Sequence, residues 1–175
     1  RLTAAEAGQL DYSKVLFGVM AAWDAAHHSA EAAPSDPFRA AVRKEILAKN
    51  PACLKDLRSF FFEHRKEDTG ADLAQYISFA LVTEMPGYKP RIVGAEVPPD
   101  VQSLTGFNDL MARFHEQAGL EALWPRVQPY YEKALQQFQP KVSAAMLETE
   151  AYLRNVTSGY MGRRFIVYVD LMTPS

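Results

Sequence analysis

The chain has 175 residues, 48% of them hydrophobic and 23% charged, with a formal net charge of -2. This is the composition of an ordinary globular domain, and its near-neutral balance argues against nucleic-acid binding by phosphate neutralisation. The single cysteine, Cys53, excludes an internal disulfide, and no apolar run approaches the roughly 18 residues of a transmembrane helix.

The chain begins at Arg1 rather than methionine. We therefore expect a removed leader or a fragment of a longer chain, in a periplasmic or secreted setting, with the cytoplasm as the alternative. Residues 1–10 are expected to fray. Asp11 is placed as the cap of a first helix running to about His28, with Val15, Leu16, Val19, Met20 and Trp23 as its apolar stripe. Ser35-Asp36-Pro37 marks a second helix start, because proline suits the first helical turn. That helix ends near Asn50, a left-handed cap, where Pro51 stops it and opens a third helix to about Lys66. Leu54, Leu57 and Phe61 share the face of that helix. Asp72 is expected to start a fourth, with Leu73, Ile77, Ala80 and Leu81 as its stripe.

Pro86-Gly87 breaks the pattern, and residues 85–105 read as a long proline-containing loop in which Arg91-Ile92-Val93 is a candidate short edge strand. Residues 106–172 then carry the longest periodic pattern, around which the rest of the chain is expected to organise. Phe107, Leu110, Met111, Phe114 and Ala118 fall at helical spacing, and Leu120, Leu123, Trp124, Val127, Tyr131, Ala134, Leu135 and Phe138 continue it. Pro129 and Pro140 should each kink or break that long helix. After a glycine-marked turn, Arg163–Met172 reads as a strand apolar on both faces. The fold class is therefore mainly α: an irregular multi-helix domain over residues 1–175, with a C-terminal strand.

Candidate chemistry is sparse. His115-Glu116 starts like the zinc motif H-E-x-x-H, but the second histidine's position holds Gly119, so the pair reads as exposed and polar. His27 and His28 are adjacent, about 100° apart on a helix, and cannot chelate one ion from one face. No serine sits in a G-x-S-x-G elbow, and Asn155-Val156-Thr157 matches the glycosylation sequon. Cys53 reads as a small buried hydrophobe. We expect no zinc, no other cofactor and no catalytic residue. The residues most able to line a ligand or partner surface are the aromatics Trp124, Tyr131 and Tyr160 and the pair Arg163-Arg164. At helical spacing, however, aromatics such as Trp124 are more often core.

Three segments in order carry a resemblance: Gly106 to His115, then Leu123-Trp124-Pro125 with Tyr130-Tyr131, then Gly159 to Tyr168. Together they resemble the region preceding the zinc-binding helix in bacterial gluzincin-like peptidases, some of which carry tetratricopeptide repeats. The resemblance covers about residues 103–172 and includes no zinc motif. It implies a non-catalytic helical N-terminal region that packs on a peptidase sheet, with catalytic residues downstream. Its partner would be the downstream part of the same polypeptide or another protein, and the C-terminal strand also offers a homodimer contact. Two alternatives stand beside it: a helical protein–protein interaction module, and a ligand-binding domain or enzyme with an aromatic-lined pocket.

Overall fold

The computed structural model describes residues 8–28, 36–91, 96–153 and 165–174. The fold is mainly helical. In chain order the elements are β1 (Gly8–Asp11), α1 (Lys14–His27), α2 (Pro37–Ala48), α3 (Leu54–Glu63), α4 (Thr69–Val82), β2 (Thr83–Glu84), β3 (Lys89–Pro90), α5 (Pro99–Gln102), α6 (Phe107–Gln117), α7 (Leu120–Leu153) and β4 (Phe165–Tyr168). The chain divides into two compact units: residues 14–125 with 171–175, and residues 1–13 with 126–170.

In the larger unit α1 is the hub, packing against α2, α3, α4 and α6. All of its residues but Lys14, Asp24 and His27 are buried, as expected of a helix apolar all round. This corrects the expectation that residues 106–172 organise the fold. Asp24 is paired on α2 with Arg43, whose Nη1 lies 2.9 Å from Oδ1 and 3.0 Å from Oδ2. The second helix starts as its sequence predicts: Pro37 sits in the first turn, and the Asp36 carboxylate accepts from the backbone N–H groups of Phe38 and Arg39. Asn50 has φ of 50°, the left-handed stop that was expected, but α3 begins at Leu54 rather than at Pro51.

Two helix readings need correction. Asp11 closes β1, its carboxylate accepting from Tyr12 N–H at 2.8 Å, and α1 starts only at Lys14. Asp72 does not start α4. Asp68 caps it, accepting from Ala71 N–H at 2.7 Å, and Asp72 lies one turn in, buried. The buried face of α4 is then Gln75, Tyr76, Phe79 and Ala80, so Leu73, Ile77 and Leu81 are half-buried at its edge. Large rings decide this orientation. Tyr76 lies 4.9 Å from Phe61, and Tyr76 and Phe79 lie 5.2 Å and 4.8 Å from Phe107.

Residues 85–105 are not one loop. β2 and β3 form an antiparallel hairpin, and Pro99–Gln102 is a helical turn. In the candidate edge strand, Arg91 is a bend, and Ile92 and Val93 lie outside the described residues. Gly119, at φ of 66°, takes the left-handed turn that joins α6 to α7. The stripe of α6 is buried as its spacing predicts.

The long helix α7 runs from Leu120 to Leu153 without a break at Pro125, Pro129 or Pro140, correcting the expected interruptions. All three prolines are exposed, where water can serve the freed carbonyls of Glu121, Pro125 and Gln136. The predicted stripe is buried as far as Ala134, after which Phe138 and Leu147 are exposed.

In the smaller unit β1 and β4 form a two-stranded parallel sheet, with Gly8 opposite Phe165 and Asp11 opposite Tyr168. A strand thus occupies part of the N-terminal stretch expected to fray. Tyr12 packs on Tyr131 of α7, ring centroids 5.9 Å apart, and Gln128 donates to the Tyr12 hydroxyl at 3.0 Å. The described part of β4 ends at Tyr168, shorter than the strand read from the sequence.

Candidate functional site

Among the described residues, four titratable side chains of the larger unit interact in a chain. Tyr88 is the last residue of the β2–β3 turn, with φ of 55°, and is fully buried. Its hydroxyl lies 3.2 Å from His115 Nδ1 on α6, and His115 Nε2 lies 3.2 Å from Glu121 Oε2 at the start of α7. Lys14 of α1 closes the chain, its ammonium 2.7 Å and 2.8 Å from the two Glu121 oxygens. A carboxylate only accepts, so Nε2 carries the proton that it donates to Glu121. In the neutral imidazole Nδ1 is then an acceptor and takes the Tyr88 O–H.

The electrostatics hold this direction. Burial pushes the His115 imidazole below its ordinary value, against the pull of Glu121. The Lys14 ammonium, with His115, holds Glu121 below the usual carboxylate range. Burial, with the Glu121 charge adding to it, pushes the Tyr88 hydroxyl up, so it stays protonated. The order tyrosine, histidine, carboxylate has the form of a proton relay. Its tyrosine, however, is sealed against Gly18 of α1, where no substrate reaches it. The chain therefore works as a clamp that ties the hairpin to α1, α6 and α7. His115 is half-buried and engaged, not the exposed residue that its sequence suggests, while Glu116 is exposed.

Of the five residues expected to form a ligand or partner surface, Trp124 is buried and packs on Phe17 at 5.2 Å. Tyr131 is fully buried and donates its hydroxyl to Asp170 at 3.0 Å. Neither offers a ligand a surface, and they lie in different units. Tyr160, Arg163 and Arg164 lie outside the described residues. Cys53 is buried as expected, and burial pushes its thiol up, which makes it a poor nucleophile. Among the described residues no group of three or more His, Cys, Asp or Glu side chains gathers as a metal site.

The other candidate surface is the β1–β4 ribbon. Among the described residues no third strand joins it. Ile166 and Val167 of β4 are 52% and 39% exposed, in a sheet type that is normally covered on both faces. Sequence reasoning marked β4 but not its partner β1. It singled out neither Tyr88 nor Lys14 nor Glu121, because Tyr88 and Lys14 meet their partners 27 and 107 residues away. No helix of the described residues is long and apolar enough to cross a membrane. No protein-family model matches the chain, and neither a curated protein nor a solved structure matches it.

Proposed function

We propose that this chain is a non-catalytic helical region that docks through its C-terminal ribbon onto a sheet-containing polypeptide, either the downstream part of its own chain or another protein. The observation that carries the reading is the two-stranded parallel sheet β1–β4, with Ile166 and Val167 facing water. A two-stranded ribbon is marginal alone, and an open edge pairs readily with a further strand. The exposed Phe138 and Leu147 of α7 add apolar surface in the same unit. This is the arrangement implied by a resemblance to the region N-terminal to the catalytic part of gluzincin-like peptidases, and an exported setting belongs to the same reading.

Hydrogen exchange tests it. In the isolated chain, the β4 amides that point away from β1 should exchange fast, while those bonded to β1 are protected. Adding a strand-donating partner should slow the outward amides. Full protection of every β4 amide in a monomer would mean the sheet is already complete, and the docking reading would fall.

A further inference from the structure

A groove of about 460 Å³ opens in the larger unit between α1, α3 and the first turn of α4. That volume lies within the roughly 300–1,000 Å³ typical of small-molecule sites. Its floor is aromatic. Trp23 and His27, one turn apart on α1, stack with centroids 3.8 Å apart, and Phe61 lies 5.1 Å from each. The stack is held in place because His27 Nδ1–H donates to the Trp23 carbonyl at 2.9 Å. Phe62 forms part of the wall and is 78% exposed, the most exposed large hydrophobic residue among those described.

The rim is cationic. Arg58, Arg65 and Lys66 line it, and among the described residues none of them has an ion-pair partner. Arg58 is tethered through its Nε–H, which donates to the Ala26 carbonyl at 3.2 Å. The one carboxylate lining the groove, Asp72, is buried. Its Oδ1 already accepts from Lys66 N–H at 3.1 Å and Gln75 Nε2 at 2.9 Å. Three cations thus face one carboxylate that is turned to structural work, beside an apolar floor.

A flat apolar ligand with an anionic end matches both features. We propose that this groove binds a small aryl carboxylate, its ring against the Trp23–His27 stack and Phe62, its carboxylate on Arg58. A guanidinium meets a carboxylate with two parallel N–H···O bonds, and the tether on Nε lowers the cost of ordering that side chain. Arg65 and Lys66 add attraction at longer range and hasten encounter.

The test is a titration of isotope-labelled protein with phenylacetate, phenylacetamide and inorganic phosphate, followed by NMR at the Trp23 indole N–H and the Arg58 Nε–H. Phenylacetate should shift both signals saturably. Phenylacetamide keeps one acceptor oxygen but loses the second bond of the fork and the charge, and should bind at least about tenfold more weakly. Arg58→Ala and Phe62→Ala should each weaken phenylacetate by about tenfold. Both side chains are exposed, so the fold should hold, and an unchanged spectrum elsewhere would confirm it. Absence of a saturable shift at millimolar phenylacetate, equal affinity for the amide, or shifts centred away from the groove would each overturn the proposal. Phosphate binding as tightly as phenylacetate would also overturn it, since the aromatic floor would then play no part.

Discussion

The Tyr88 hydroxyl abuts Gly18, where an added Cβ would collide with it and come within 3.4 Å of the ring carbon behind it. Gly18→Ala should therefore lower stability by about 1–3 kcal/mol, the usual cost of overpacking a core. The cost should shrink when Tyr88→Phe is added, because the colliding oxygen is gone. Denaturant midpoints of the two single variants and the double variant measure that coupling, and strict additivity would place Tyr88 away from Gly18. His115 yields a pH prediction. Its folded value lies below the ordinary 6.5, so in the window beneath 6.5 the unfolded chain binds a proton that the folded chain refuses. Its contribution to stability is complete above pH 6.5 and is lost as pH falls through the folded value. Protonation would also turn Nδ1 into a donor facing the Tyr88 hydroxyl, which would lose its acceptor. Midpoints measured from pH 7.5 to 5 should fall for the native chain and flatten for His115→Gln; parallel curves would refute this account.

At the scale of elements, α7 sets local propensity against tertiary packing. Its prolines each remove a backbone hydrogen bond, yet the helix continues past them, held over Leu120–Ala134 by a buried stripe. Pro140 lies beyond that stripe and is exposed. Replacing it with alanine restores the bond to Gln136 and removes the ring clash. Pro140→Ala should therefore stabilise the distal half of α7 by about 1–3 kcal/mol. Hydrogen exchange over residues 136–147 would show slower opening, and unchanged exchange would mean that the helix there already tolerates proline without strain. The start of α2 was legible because the Asp36 carboxylate stands directly before Pro37, whereas the Asp68 cap of α4 was passed over for Asp72. At Asp11 the backbone instead closes a strand, and at Asp72 the buried carboxylate accepts from Lys66 N–H and the Gln75 amide.

At the scale of the whole molecule, the docking reading depends on β4. Ile166→Lys and Val167→Lys change exposed side chains, so each should change folding stability little, by about 0.5 kcal/mol or less. Charge on an exposed edge opposes strand addition. A concentration series by light scattering should show that any self-association of the native chain is lost in both variants while the fold persists. Collapse of the fold would show that β4 is packed rather than offered, and an unchanged assembly would remove the ribbon from the interface.

By itself the sequence determined the helical class, the stripes of α1 and α6, the capped start of α2, the left-handed stop at Asn50 and the inert burial of Cys53. Each rests on contacts within one or two turns, or on a hydrophobic period that a single helix displays. Only the tertiary structure decided that α1 is the hub, that Tyr76 and Phe79 rather than Leu73 and Ile77 face the core, and that Gly8–Asp11 pairs with β4. The same holds for the Tyr88–His115–Glu121–Lys14 clamp and for the meeting of Trp23, Phe61 and Arg58 in one groove. These arrangements join residues tens to more than a hundred positions apart. They are set by which apolar faces exclude water together, and no local spacing records that.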